Sequence, residues 1–148
     1  LLDTINLAAD EIIKFNPCKI VDGEKRYKYP EARGRIIVIS DADDNESELG
    51  TEYAITEKLV QNNIVMDFVM VSSADECIRA ITMAKITGGL SFSPKNKDEG
   101  AEIFSKEAFL DINARSNFKP IKCPINEQLF SKIKRQLGSN PYNKLDEI

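Results

Sequence analysis

Apolar residues recur along the chain with two different spacings, and each spacing predicts a different kind of element. From Leu1 to Ile13 they return every three or four residues, which predicts an amphipathic helix. The segments Ile36 to Ile39 and Ile64 to Val71 are short and almost continuously apolar, as in strands buried on both faces of a parallel sheet. The same reasoning predicts further helices at about 51–62, 77–87 and 98–109, and a short strand at 90–93.

Helices and strands therefore alternate, which predicts an α/β fold with a doubly wound, mainly parallel sheet flanked by helices. Residues 17–34 contain glycines and prolines among charged residues, so we expect a loop there. In the helix at 98–109 we expect Ile103, Phe104 and Ala108 to face the core.

The pattern changes after Ile112, where prolines and an extended polar segment replace the alternation. We therefore divide the chain into residues 1–112 and a C-terminal extension, residues 113–148. The extension contains a predicted helix at 125–137. A brace on the domain is favoured over a linker, because the apolar residues of this helix need cover.

The composition narrows the possible classes of protein. A chain of 148 residues that is 42% hydrophobic can form one folded domain, which argues against disorder. Its net charge is −4 and its basic residues are dispersed among acidic ones, so the charge gives no reason to expect nucleic-acid binding. No apolar run is long enough to predict a membrane span.

Histidine is absent from the sequence, which excludes Ser-His and Cys-His nucleophile pairs and every zinc site that uses imidazole. Cys18, Cys77 and Cys123 are far apart and odd in number, which fits reduced thiols better than a disulfide framework. We therefore expect an intracellular protein, with the cytoplasm as its compartment.

A dense group of carboxylates follows the first predicted strand. Asp41 stands where that strand ends, and the carboxyl ends of parallel strands are where α/β proteins bind their ligands. No Lys or Arg occurs between Arg35 and Lys58. The acidic residues that follow Asp41 are Asp43, Asp44, Glu46 and Glu48.

This acidic loop has three interpretations. It can be an ordinary turn, because Asp, Asn and Ser side chains bond the nearby backbone. A calcium-binding EF-hand is disfavoured, because Glu46 takes the place of the required glycine and a strand precedes the loop. The third interpretation makes Asp41, with support from Asp43 and Asp44, part of a magnesium or manganese site whose other ligands come from other loops.

Four segments, taken together, resemble the von Willebrand factor A domain, also called the integrin I-like domain. Ile36–Asn45 is similar to the end of the family's fourth strand, and Ile64–Ser73 to its fifth strand. Ile81–Phe92 is similar to its Ala-Thr-Gly-Gly segment and the aromatic strand that follows. Leu1–Ile5 resembles the family helix that begins Leu-Tyr-Asp-Ala-Ile. The resemblance covers residues 1–112 and implies a domain that lacks its N-terminal strands.

The resemblance implies a metal-ion-dependent adhesion site, at which an acidic side chain of a protein partner completes the coordination of magnesium or manganese. Of the family's ligands, only the aspartate after the fourth strand carries over, to Asp41. It also implies a second partner, the missing N-terminal half of the domain, supplied in cis, in trans or by exchange between chains. A non-catalytic protein interaction module follows as the expected function.

Two alternatives remain open. The first is a metal-free scaffold subunit of an intracellular assembly, in ubiquitin and proteasome machinery or in membrane trafficking. The second is a magnesium-dependent phosphatase-like enzyme, since Asp41-Ala-Asp43 after a strand has the Asp-x-Asp form of the haloacid-dehalogenase type. That chemistry also needs a lysine from a later strand, and none is evident.

Overall fold

A computed structural model describes residues 1–41, 47–48, 50–71, 77–108, 121 and 124–139. Within these residues the chain forms five helices and five strands. In chain order they are α1 (Leu2–Phe15), β1 (Cys18–Val21), β2 (Glu24–Tyr27), β3 (Gly34–Ser40), α2 (Glu52–Gln61), β4 (Ile64–Met70), α3 (Ile78–Thr87), β5 (Ser91–Phe92), α4 (Lys97–Ala108) and α5 (Glu127–Ser139).

The main sheet has three strands in the order β3, β4, β5, and all of them are parallel. The register pairs Val38 with Phe68, and Phe68 with Ser91. Helix α2 connects β3 to β4, and α3 connects β4 to β5, as crossovers between parallel strands require. The prediction of an α/β fold with a parallel sheet flanked by helices is therefore confirmed.

Four helices cover one face of this sheet. They pack side by side in the order α1, α2, α3, α5, and α2 and α3 contact β4 directly. The core between helices and sheet consists of Ile36, Val38, Met66, Phe68 and Met70 from the strands, with Ile5, Leu59, Ile81, Ile133 and Leu137 among the helical residues. Since side chains alternate along a strand, the residues between these point to the opposite face.

The two longer strands differ in burial. Every residue of β4 is buried, as predicted for a strand covered on both faces. The same prediction is wrong for the end of β3, because Ile39 is 56% exposed on the face opposite the helical layer. Val71, expected as the last residue of the next strand, lies beyond β4 and is 65% exposed.

Residues 17–34 do not form the expected simple loop, because β1 and β2 pair as an antiparallel hairpin. Asp22 and Gly23 connect the two strands and have φ values of 54° and 79°. Two residues with positive φ make the turn whose twist matches that of the paired strands, and Asp-Gly favours it. The hairpin is fixed to α2, because Lys25 Nζ and Tyr27 Oη both donate hydrogen bonds to the carbonyl of Gln61. Burial raises the pKa of Tyr27.

Helix α4 forms where it was predicted, but its expected inward face is partly wrong. Phe104 is 45% exposed. The helix begins at Lys97 because Asn96 Oδ1 accepts hydrogen bonds from the backbone N–H groups of Asp98 and Glu99.

Helix α5 joins the same hydrophobic cluster as the sheet. Phe130, Ile133 and Leu137 are buried in that cluster, and α5 packs on α3. The predicted boundary after Ile112 lies outside the described residues. Among the helices that the structure describes, none combines the length and the hydrophobicity that crossing a membrane requires.

Candidate functional site

The carboxyl ends of β3, β4 and β5 meet at one edge of the sheet, because the three strands are parallel. Asp41 follows β3 directly and is exposed. Val71 follows β4, and Pro94 comes two residues after β5. No hydrogen bond or ion pair to the Asp41 carboxylate occurs among the described residues.

The predicted metal ligands are tested only at Asp41, since Asp43 and Asp44 lie outside the described residues. In the part of the chain that the structure describes, no group of three or more His, Cys, Asp or Glu side chains could hold a metal ion. Magnesium uses an octahedral set of oxygen ligands, of which Asp41 supplies one carboxylate. The described residues therefore do not fit a magnesium or manganese site by themselves.

The far end of the acidic loop has a structural role at the start of α1. Ser47 Oγ accepts a hydrogen bond of 3.1 Å from the backbone N–H of Asp3. In return, the Asp3 carboxylate accepts one of 3.2 Å from the backbone N–H of Glu48. The first N–H groups of a helix have no partner within the helix, so Ser47 acts as a cap from a distant part of the chain. These two bonds join residues 44 and 45 positions apart, so they are not the local side-chain-to-backbone bonds of an ordinary turn.

An open groove of about 460 Å³ lies between the outer face of the sheet and the start of α4, and its lining includes Ile39, two residues before Asp41. Its floor is made by Ile39, Val69 and Val71 at the carboxyl ends of β3 and β4. Phe104 forms part of the opposite wall. The groove therefore gives the carboxyl end of the sheet an open apolar surface.

A buried ion pair lies deeper on the same face of the sheet. Arg35 Nε donates a hydrogen bond of 2.7 Å to Oδ2 of Asp67, and Arg35 Nη2 forms an ion pair with the same oxygen at 2.5 Å. The other carboxylate oxygen, Oδ1, accepts a hydrogen bond of 2.8 Å from the backbone N–H of Leu90. Asp67 is completely buried, and its charge is balanced by a cation from the neighbouring strand. The pair connects β3, β4 and the segment before β5, which indicates a structural role.

The segment Thr87-Gly88-Gly89 ends α3 and brings it close to β4. Gly88 has a φ of 80°, and the N–H groups of Gly88 and Gly89 bond the carbonyls of Lys85 and Ala84, as in a Schellman motif. A Cβ atom on Gly89 would lie 1.8 Å from the carbonyl oxygen of Met66, so no other residue fits there without movement. Thr87 Oγ1 accepts a hydrogen bond of 3.0 Å from the N–H of Met66.

The sequence contained a signal for the buried ion pair of Asp67 and Arg35. A lone aspartate in the middle of a strand predicted to be buried on both faces requires a cation, and Arg35 begins the adjacent apolar run. The groove gave no such signal. The apolar pattern predicted that Ile39, Val71 and Phe104 are core residues. Only the position of α4 against the sheet reveals that all three remain exposed.

No family model, curated protein or solved structure matches this chain.

Proposed function

We propose that this chain is a non-catalytic protein interaction module of the von Willebrand factor A type, which contacts its partner with the carboxyl end of its sheet. The observation that carries the proposal is that an exposed Asp41 and an open apolar groove both lie at the carboxyl end of the sheet. A parallel sheet with helical crossovers supports the assignment to this type of domain. The resemblance of the four sequence segments supports it further.

Photo-crosslinking tests the use of this edge. Benzoylphenylalanine is placed at Val71, beside the groove, and in a second variant at Leu7, which is 59% exposed on α1 and does not line the groove. In extracts of the source cells we expect a discrete protein adduct from position 71 and none from position 7. The adduct is expected to weaken when Asp41→Ala is added. Equal adducts from both positions would reject the proposal.

Magnesium or manganese at Asp41 is a separate part of the proposal. The described residues alone do not build such a site, so the partner surface is argued without it. Calorimetric titration of Mg²⁺ into the chain and into Asp41→Ala decides the matter. A heat of binding that disappears in Asp41→Ala assigns the carboxylate a metal-ligating role. Equal heats, or none, favour the metal-free scaffold of an intracellular assembly.

A specific observation favours a second partner, the other half of the same domain. Strand β3 lies at the edge of the sheet, and no described strand pairs with its backbone on the side away from β4. An apolar strand with a free edge is prone to pair with another chain. We therefore propose that a further strand is added there, in cis, in trans or by exchange between chains. Light scattering on the purified chain tests this, and a stable monomer of 16.6 kDa would contradict pairing in trans or by exchange.

A further inference from the structure

The groove between the carboxyl end of the sheet and α4 carries more information about the partner than Asp41 does, and Asp41 is not among its lining residues. Its exposed apolar residues come from three parts of the fold, because Ile39 is the penultimate residue of β3, Val71 follows β4 and Phe104 lies on α4. They are 56%, 65% and 45% exposed. Single exposed apolar side chains are ordinary, but a concave cluster of them marks a surface that binds something apolar.

The rim of the groove carries positive charge. Lys95 and Lys97 are exposed and line the groove at the start of α4, and no described residue forms an ion pair with either of them. Three N–H groups near this end of the helix are already used, since Asn96 caps those of Asp98 and Glu99, and the Glu99 carboxylate accepts a hydrogen bond from the N–H of Lys95. The two ammonium groups, rather than the end of the helix, are therefore what an anion would contact.

The apolar floor and the two lysines on the rim together narrow the class of molecule that the groove can bind. Nucleic acid is disfavoured, because the groove offers one aromatic side chain, Phe104, instead of a stacking platform. A volume of about 460 Å³ lies within the range of sites that hold small ligands or a few side chains. Charge complementarity to the two lysines requires carboxylates on the occupant.

We propose that this groove binds an acidic segment of a partner protein, which inserts large apolar side chains over Ile39 and Val71 and places carboxylates at Lys95 and Lys97. This inference rests on the proposed function and adds the chemistry of the partner. The apolar contact provides most of the affinity, and the lysines select acidic sequences and speed association.

Fluorescence anisotropy with a labelled synthetic peptide tests the proposal directly. The probe is a ten-residue peptide with two central leucines flanked on each side by two glutamates and capped by Gly-Ser. A second probe has glutamine in place of each glutamate, and a third has alanine in place of each leucine. We expect the acidic leucine probe to bind, and both altered probes to bind at least about tenfold more weakly at low salt.

Variants of the chain locate the binding. Val71→Asp, and independently Phe104→Asp, are expected to weaken binding of the acidic probe by about tenfold or more, and so is the pair Lys95→Glu with Lys97→Glu. Matched controls are Leu7→Asp, for an exposed apolar residue elsewhere, and Lys132→Glu, for an exposed lysine on α5. The controls should bind like the unaltered chain, and circular dichroism verifies that each variant is folded.

Several outcomes overturn the proposal. These are absence of binding by the acidic probe, equal binding of the glutamine probe, and equal binding by Val71→Asp and the unaltered chain. Concentration-dependent dimerisation that Val71→Asp abolishes would assign the groove to a second copy instead. If the probes fail while the Asp41-dependent adduct at position 71 persists, the chemistry of the partner is wrong but the use of this edge stands.

Discussion

Removal of one partner of the Asp67–Arg35 ion pair should destabilise the chain by more than the intact pair stabilises it. Asp67 is completely buried, and the side chain of Arg35 is 12% exposed. Moving both charges from water costs about as much as their attraction returns, but removal of one partner leaves the other charge buried and alone. We therefore expect the pair to fix the register of β3 against β4 and to add little to the free energy of unfolding.

A double-mutant cycle tests this interpretation. We expect Asp67→Ala and Arg35→Ala each to lower the free energy of unfolding by about 3–5 kcal/mol. The double variant should cost less than the sum of the two, with a coupling of about 1–3 kcal/mol. Urea unfolding followed by circular dichroism gives all the values. Strictly additive losses would show that the two side chains act independently.

Gly89 is a second position at which a single side-chain atom, the Cβ, would strongly affect stability. Its missing Cβ leaves room for the carbonyl oxygen of Met66, which belongs to the backbone of β4 and cannot rotate away. Gly89→Ala is therefore expected to destabilise the chain by about 3 kcal/mol, the upper end of the cost of overpacking. Gly138→Ala is the matched control, because nothing lies within 4 Å of a Cβ there and α5 gains about 0.5–1 kcal/mol from the better helix former. Similar midpoints for the two variants in urea would contradict the close approach.

At the scale of elements, the sequence predicted most of the helices and strands that have a clear apolar pattern. The helices α1, α2, α3 and α5 and the strands β3 and β4 formed within a few residues of their expected places, because each has a long apolar pattern or a clear end signal. The hairpin was missed because β2, Glu24–Tyr27, is exposed and charged for most of its length and has no apolar alternation. Its signal was the Asp-Gly turn alone.

The hairpin provides the prediction at this scale. Gly23 has a φ of 79°, a value that a β-branched residue tolerates poorly. We expect Gly23→Val to open the hairpin and to speed amide hydrogen exchange in β1 and β2, whereas Gly23→Asn, which accepts positive φ, should have a small effect. Exchange in β4 is expected to stay unchanged in both variants. Equal exchange rates in Gly23→Val and the unaltered chain would show that the contacts to Gln61, rather than the turn, hold the hairpin.

The candidate site was predictable only in part, and the reason is geometric. Asp41 could be placed from sequence, because the residue after a parallel strand must lie at the carboxyl edge of the sheet. The groove at this end of the sheet depends on where α4 packs, and the sequence pattern of α4 placed Phe104 inward when it is 45% exposed. Apolar periodicity shows which residues could be buried, but only the arrangement of elements shows which of them remain open.

At the scale of the whole molecule, the packing of α5 determines whether the chain unfolds as one cooperative unit. Its residues Phe130, Ile133 and Leu137 belong to the same hydrophobic cluster as the sheet, although they come from the predicted C-terminal extension. Helix α3 lies between α5 and α2, so loss of α5 would uncover one side of α3. Since cooperativity follows from shared burial, α3 and α5 should open together.

Cys77, a buried thiol immediately before α3, reports that opening. In a background with Cys18→Ser and Cys123→Ser, the rate at which Cys77 reacts with a thiol reagent measures how often α3 is exposed. Ile133→Ala should destabilise the chain by about 2–5 kcal/mol, which raises the population of open α3 by about 30-fold or more. Lys132→Ala, the exposed neighbour on α5, should leave the rate unchanged. If Ile133→Ala melts α5 but Cys77 reacts no faster, α5 is an appendage that folds apart from the sheet.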